Sequence, residues 1–216
     1  MNDIANSFLL IYAGLFPIVN PVGGAPSFLG LTRQATEMER QALARRVAVN
    51  GFCLLLGSLF VGSHVLEFFG ITLPVVRVAG GLVVVAFAWK MLNAEEEIPA
   101  ESVDVGKRPV APIDAFYPLT MPLTVGPGSI SVAITLGSQR PKVGDFAHLA
   151  LLGGGALAGV LAIAATIYLC YRFADRIVTA LGASGTNVLM RLSAFILLCI
   201  GIQIIWNGYS ALIANP

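Results

Sequence analysis

Charged side chains are scarce in this chain of 216 residues. They make up 12% of it, against about a quarter in ordinary soluble domains. A soluble protein must present a polar surface, and 13 Lys and Arg with 12 Asp and Glu are too few to build one. The formal net charge of +1 also excludes the basic footprint of a nucleic-acid-binding protein. With 56% hydrophobic residues, the composition predicts a protein surrounded by a lipid bilayer.

Signatures of metal and catalytic sites are absent from the sequence as well. Cys53, Cys170 and Cys199 lie in apolar runs and form no CxxC or Cys/His spacing, so we interpret them as buried packing thiols. The chain has no HExxH or GxSxG motif of the kind that an intramembrane hydrolase would need. We therefore expect no metal, no cofactor and no enzymatic activity.

Long stretches without charge run through the whole chain. Five windows of at least 20 residues contain no Asp, Glu, Lys or Arg, and a sixth contains only Arg77. The windows are residues 4–32, 47–66, 115–139, 146–171 and 192–216, and the sixth is 68–89. A helix of about 20 apolar residues crosses the ~30 Å hydrocarbon core of a membrane. The sequence thus predicts an all-α, polytopic membrane protein with six transmembrane helices, the second and third joined by a tight turn at Phe69 to Thr72.

Basic residues are distributed unevenly over the loops of this topology. If successive loops alternate between the two sides, ten Lys and Arg fall on one side and only Arg140 and Lys142 on the other. The positive-inside rule places the richer side in the cytoplasm and both chain termini outside it. Residues 94–112, rich in Glu and Pro, then form a cytoplasmic linker between a first half, residues 1–93, and a second half, residues 113–216.

The two halves share a pattern of prolines that indicates an internal repeat. At a constant offset of 101 residues, three prolines of the first half match three of the second: Pro17, Pro21 and Pro26 against Pro118, Pro122 and Pro127. The separation of Arg77 and Asn93 likewise equals that of Arg191 and Asn207. Because each half has three helices, the second half must enter the membrane from the opposite side. The result is an inverted repeat, which is characteristic of secondary transporters.

Helices 1 and 4 are predicted to break near the middle of the membrane. Their prolines remove backbone donors, and the glycines beside them permit non-helical dihedral angles. Unpaired backbone costs several kcal/mol in lipid, so such breaks persist only beside protein or a water-lined cavity. We expect new helices to begin at Pro26 and Pro127. The free backbone N–H groups in the first turns of these two helices would face the membrane centre from opposite sides and attract an anionic group.

The breaks define a candidate site for a small zwitterion. The carboxylate would bind amides around Gly24 to Ser27 and Gly128 to Ser129, and the ammonium would bind carbonyls freed by Pro21 and Pro122. The substrate-binding candidates are the polar, Gly and Pro residues of the two breaks: Asn20, Pro21, Gly23, Gly24, Ser27, Thr120, Pro122, Thr124, Gly126, Pro127, Gly128 and Ser129. The alternative that these residues only kink helices for packing stays open.

Three further polar residues are candidates for a structural or gating role. Arg77 and Arg191 are costly within a membrane, about 2.5 to 3.5 kcal/mol each at a helix centre. They are expected to reach the interface, or to pair with a helix carboxyl end or with Glu67, rather than to contact the substrate directly. Gln203 could line a cavity or bond between helices. The helix interiors contain no Asp or Glu for a proton relay, so coupling to H⁺, coupling to Na⁺ and uncoupled diffusion all remain open.

Several segments resemble the MarC family of integral membrane proteins. The resemblance runs nearly end to end and is carried by these segments: Asn20 to Gly23, Pro26 to Leu29, Phe69 to Gly81, Pro118 to Pro122, Gly126 to Ile130, and Arg191 with Gly201 to Gln203 and Asn207 to Gly208. It implies a multi-pass protein of a bacterial or archaeal inner membrane. It further implies transport of small neutral amino acids such as glycine and alanine, and kinship with LysE-type amino-acid exporters.

The resulting hypothesis is a transporter of small neutral amino acids through a site at the middle of the membrane. The expected partners are the amino acid, the lipid bilayer and, if transport is coupled, H⁺ or Na⁺; nucleic acid is not expected, and a homo-oligomer is left open. Two alternatives remain: an exporter of drugs or other small metabolites, and a structural membrane protein that transports nothing. The direction of transport is likewise open.

Overall fold

A computed structural model describes residues 2–93, 114–138 and 146–214. The predicted linker, residues 94–112, lies outside the described residues. The described chain forms seven α-helices, in the order α1 (Asn2–Val19), α2 (Pro21–Leu31), α3 (Glu37–Phe68), α4 (Leu73–Leu92), α5 (Pro127–Ser138), α6 (Phe146–Arg172) and α7 (Ala174–Ala214). A π-helical segment, Leu119–Thr124, precedes α5. The prediction of an all-α protein is confirmed.

Four of these helices are long and apolar enough to cross a membrane. They are α3, α4, α6 from Leu151 and α7 from Ser184, and the bent pair α1 and α2 makes a fifth if it counts as one span. The region predicted as the fourth of six spans has a different form. Its regular helix, α5, has only 12 residues and is about 18 Å long at 1.5 Å per residue, so it is too short to cross the membrane by itself.

Local sequence signals explain where the long helices begin and end. Thr36 caps α3: its hydroxyl accepts from the Glu39 N–H at 3.3 Å, and its own N–H donates to Glu39 Oε2 at 2.8 Å. Between α3 and α4 the chain turns at Gly70, whose φ of +67° lies in the left-handed region that glycine adopts without strain. The predicted tight turn between the second and third helices is confirmed. In α7 the helix bends at Gly182, with φ +66°.

The directions of the helices follow from their contacts. Gly155 lies against Ile4 and Gly159 against Phe8, so α6 runs parallel to α1. On the other side, Gly62 packs on Ile134 of α5, and Gly51, earlier in α3, packs on Val125, which precedes α5. The chain from Val125 to the end of α5 therefore runs parallel to α3.

The helices α4 and α7 form an antiparallel pair. Gly208 of α7 approaches the Pro74 carbonyl near the start of α4, and Gly201 approaches Val85 further along it. Each helix contributes a glycine at the closest point, because Gly81 and Gly201 each lie against the other's carbonyl. The absence of side chains there brings the two backbones together, a common device in membrane helix packing.

The buried core lies on one side of this pair, among α1, α3, α6 and the segment before α5. Leu15, Leu55, Val125 and Ile163 are fully buried there. Many large apolar side chains instead point outward from the bundle, as lipid-facing residues do. Cys53 and Cys199 are exposed as well and Cys170 is half-buried, so the prediction of buried thiols is wrong for Cys53 and Cys199. Polar loops and an apolar outer surface are what a helical membrane protein requires.

Candidate substrate site at two helix interruptions

The first interruption is made by Asn20, between α1 and α2. Asn20 adopts φ 45° and ψ 56°, the left-handed conformation, which asparagine tolerates better than most residues. Its side-chain Oδ1 accepts from the Gly23 N–H at 3.2 Å, and its carbonyl accepts from the Gly24 N–H at 2.9 Å. A new helix therefore starts immediately, with Pro21 at its first position and a bend of 40°.

This arrangement corrects the expected start of the second helix. Pro26 lies inside α2 rather than at its N-terminus, because the Asn20 side chain already caps the helix one turn earlier. The amides of Gly23 and Gly24 both bond to Asn20. Ser27 follows within the helix and is half-buried. On this side of the protein two of the first-turn amides, those of Gly23 and Gly24, are thus bonded to the chain itself.

The second interruption is longer and has a different geometry. Met121, within the π-helical segment, and Val125, directly after it, adopt extended backbone conformations, and the peptide bonds before Pro118 and Pro122 are cis. Two buried hydroxyls donate to carbonyls of the same segment. Thr120 Oγ1 donates to the Ala115 carbonyl and Thr124 Oγ1 to the Leu119 carbonyl, each at 2.7 Å. The Ala115 carbonyl also accepts from the Thr120 N–H at 3.0 Å, so the Thr120 hydroxyl adds to a backbone hydrogen bond of this segment.

The helix α5 then begins at Pro127, as predicted. Ser129 Oγ donates to the Gly126 carbonyl at 2.8 Å, and Gly128 packs directly on Val84 of α4. Gly128 and Ser129 are buried and belong to the first turn, where backbone N–H groups have no carbonyl partner within the helix. The positive end of the helix dipole lies at the same place.

A cavity of about 60 Å³ lies against this helix start. One water molecule needs roughly 10–15 Å³ on the same measure, so the cavity holds several waters or one small solute. Its walls come from four parts of the chain: Ile18; Val83, Val84 and Phe87; Pro122, Leu123, Thr124, Gly126, Pro127, Gly128 and Ser129; and Leu197. None of these twelve described residues carries a charge.

The structure brings half of the predicted binding residues to this cavity. Those that line it all belong to the second interruption: Pro122, Thr124, Gly126, Pro127, Gly128 and Ser129. Thr120 lies behind the wall, where its hydroxyl accepts from Asn50 Nδ2 at 3.4 Å. The first interruption contributes only Ile18, whereas Asn20, Pro21, Gly23, Gly24 and Ser27 lie elsewhere.

The three predicted structural or gating residues are separated in the structure. Arg77 is half-buried, and its Nε donates to Thr135 Oγ1 of α5 at 3.4 Å, so it joins α4 to α5. Arg191 is exposed on α7. Gln203 is also exposed, and its Nε2 donates to Asn207 Oδ1 one turn along the same helix at 2.9 Å. Of the three, only Arg77 makes a contact between two helices in these hydrogen bonds.

Sequence reasoning missed Tyr171, the largest fully buried side chain. Its ring stacks on Phe28 of α2 with centroids 4.4 Å apart, and its hydroxyl lies 2.8 Å from Thr124 Oγ1. A tyrosine in the last turn of an apolar helix usually indicates the membrane interface. Its contacts reach 143 and 47 residues back along the chain, and no local pattern signals such distant partners.

Comparison with known proteins decides the family. A model of the "MarC family integral membrane protein" matches residues 5–213. The chain belongs to the MarC family. The inner membrane protein MarC of Salmonella typhimurium is 31% identical over 214 residues, covering 96% of both chains. The membrane protein YvbG of Bacillus subtilis is 31% identical over 205 residues, covering 94% of both. No solved structure matches significantly.

Membership of the MarC family places the site in a protein of the inner membrane. The names of the relatives and the apolar helices together make this chain a multi-pass protein of the inner membrane. The names state no transported substrate. The chemistry of the cavity is set by the residues of its walls.

Proposed function

We propose that this MarC-family protein transports small neutral amino acids, such as glycine and alanine, across the inner membrane. The observation that carries the proposal is the 60 Å³ cavity at the start of α5, beside an interrupted segment of the chain. Backbone that departs from the α-helix in a membrane protein is tolerated where it lines a cavity. Such a place offers polar groups in an otherwise apolar interior.

The groups around the cavity suit a zwitterion. The first-turn amides at Gly128 and Ser129, with the helix dipole behind them, attract a carboxylate. The irregular backbone between Pro122 and Gly126 offers carbonyls to an ammonium group. The walls bear no charge, which favours a substrate of zero net charge over an ion. The same groups recognise the backbone that all amino acids share.

The size of the cavity favours the smallest neutral amino acids. At about 60 Å³ it is far smaller than the roughly 300–1,000 Å³ pockets that hold drug-sized ligands. The apolar side chains of Ile18, Val84, Phe87 and Leu197 surround the space where a substrate side chain would lie. Glycine and alanine make the least demand on that space, which favours them over an exported drug.

The arrangement of the helices supports the finer topology of the proposal. In it, the chain crosses the membrane six times as two inverted repeats, with α1 and α2 as the first crossing and residues 114–138 as the fourth. The repeat relates α1 to α5 and α6 to α3. It therefore relates the pair of α1 and α6 to the pair of α5 and α3, and the two helices of each pair run parallel to each other. The same relation exchanges α4 with α7, which run antiparallel. The interruptions at Asn20 and before Pro127 are then equivalent positions near mid-membrane.

Flux measurements with purified protein test this function. Proteoliposomes containing the protein should accumulate radiolabelled glycine and alanine faster than empty liposomes. Unlabelled serine should compete, and leucine, tryptophan and a drug-sized cation should compete progressively less. Imposed H⁺ or Na⁺ gradients determine whether the flux is coupled. Correctly inserted protein that moves no amino acid, or that moves only the large compounds, would overturn the proposal.

A further inference from the structure

Tyr171 joins the two interrupted segments of the chain. Its hydroxyl contacts Thr124 of the π-helical segment, and its ring stacks on Phe28 of α2. Thr124 Oγ1 donates its hydrogen to the Leu119 carbonyl, so the Tyr171 hydroxyl is the donor in the 2.8 Å bond to Thr124. A chain of two hydrogen bonds thus runs from α6 through Thr124 into the irregular backbone.

The first interruption provides the room for this tyrosine. A β-carbon at Gly24 would lie 2.8 Å from the Tyr171 hydroxyl, closer than such atoms approach. Any larger residue at this position would require Tyr171 or α2 to shift. The hydroxyl is therefore held between Gly24, one turn beyond Asn20, and Thr124, two residues before Gly126.

Thr124 connects the cavity to Tyr171. It lines the cavity, and it contacts Tyr171 and hence α2. Along the first crossing, Ile18 lies at the cavity, Gly24 at the Tyr171 hydroxyl and Phe28 at its ring. At 1.5 Å per residue these points span about 15 Å towards the end of the bundle where α2 and α6 terminate.

We propose that Tyr171 is a latch: its hydrogen bond to Thr124 and its stacking on Phe28 keep the cavity closed towards the end of the bundle at Leu31 and Arg172. Release of the bond lets the Thr124 wall separate from α2 and opens the cavity at that end. The latch rests on the proposed function only for its physiological meaning. Its structural prediction, access to the cavity, can be measured without any substrate.

Cysteine accessibility tests the latch. In a background with Cys53, Cys170 and Cys199 replaced by alanine, Val84→Cys places a thiol in the cavity wall. Vesicles of both orientations are treated with a membrane-impermeant methanethiosulfonate, and Gln34→Cys reports which face carries the α2 end. Tyr171→Phe, which removes only the hydroxyl, should speed labelling of Val84→Cys from that face by roughly 2- to 12-fold, the factor that one buried hydrogen bond represents.

Matched variants separate the latch from general loosening. Tyr168→Phe removes a hydroxyl from the same helix, one that bonds Arg172 rather than Thr124, and should leave labelling unchanged. Thr124→Val should speed labelling of Val84→Cys as much as Tyr171→Phe does, and the double variant should be labelled no faster than either single variant. Thr124→Ser keeps the hydroxyl, so its labelling should stay slow.

Three results would overturn the latch: a change in labelling below about twofold for both Tyr171→Phe and Thr124→Val, an equal change with Tyr168→Phe, or faster labelling only from the opposite face. The two proposals fail separately. Unchanged labelling in a protein that transports glycine removes the latch alone, and faster labelling in a protein without flux removes the transport function alone.

Discussion

Gly128 lies directly against Val84, with no space for a side chain between α5 and α4. A β-carbon on Gly128 would overlap Val84 Cγ2, and the Gly80 carbonyl lies 3.4 Å from the same point. Both residues also line the cavity. The glycine thus sets the distance between the start of α5 and α4, and that distance sets the width of the proposed binding site.

The first prediction concerns this contact. Gly128→Ala should lower glycine uptake at least tenfold, because the new methyl group must displace either Val84 or the start of α5. Gly128→Leu should abolish uptake. Removing the obstructing side chain in Gly128→Ala with Val84→Ala should restore part of the uptake, since the added methyl group then has room. Uptake into proteoliposomes measures all three variants.

The control for this prediction is Gly154→Ala on α6, where a β-carbon would meet nothing within 4 Å. It should transport like the parent protein. Normal uptake by Gly128→Leu in correctly inserted protein would remove Gly128 from the site. A double variant no better than Gly128→Ala would show that Val84 is not the obstacle.

The second prediction concerns Asn20, the residue of the first interruption. Asn20→Ala removes the cap on Gly23 and forces alanine into a left-handed conformation, each costing about 1 kcal/mol or more. Thermal unfolding in detergent should therefore occur at a lower temperature. Asn20→Gly loses the cap but accepts the conformation, so its loss should be smaller. Equal losses for the two variants would contradict a left-handed backbone at position 20.

The third prediction compares glycines at and away from the contact between α4 and α7. A β-carbon on Gly81 would lie 2.9 Å from the Gly201 carbonyl, a backbone atom that cannot move aside alone. Gly81→Ala should therefore lower the unfolding temperature clearly. Gly57→Ala, in open space on α3, should be neutral or stabilising, because alanine favours a helix over glycine by about 1 kcal/mol. Equal stability of both variants would contradict the close approach.

The fourth prediction concerns orientation in the membrane. In the cysteine-free background, Asp104→Cys should react with an impermeant thiol reagent only from the cytoplasm, and Ala214→Cys only from outside. The reason is the concentration of Lys and Arg on one set of loops. Reaction of both cysteines from one face would refute the six-crossing topology, because six crossings place the linker and the C-terminus on opposite sides.

Local signals in the sequence predicted much of the fold but only part of the site. Gly70 indicated the turn between α3 and α4, and Pro127 indicated the start of α5, because each residue acts through its own backbone. The prediction that a helix begins at Pro26 was wrong, because a local signal can have more than one meaning. A proline can begin a helix or lie inside one, and the Asn20 side chain had already started α2.

Contacts between distant residues could not be predicted from one sequence. The apolar walls at Val84, Phe87 and Leu197 look like any lipid-facing or packing residues until the helices are placed together. The bond between Tyr171 and Thr124 depends on where α6 ends relative to the second interruption. Proline and glycine patterns identify where a chain departs from a helix, but the assembled bundle determines what fills the space beside it.

The hydroxyls of Thr120 and Thr124 donate to carbonyls of their own segment, so the segment itself supplies hydrogen bonds that water would provide outside a membrane. If the segment shifts as a unit inside the bilayer, the Ala115 and Leu119 carbonyls keep these donors. Such a shift therefore does not leave these two carbonyls without a hydrogen-bond donor in hydrocarbon, which would cost several kcal/mol. Irregular backbone built in this way can serve as a moving part within a bilayer.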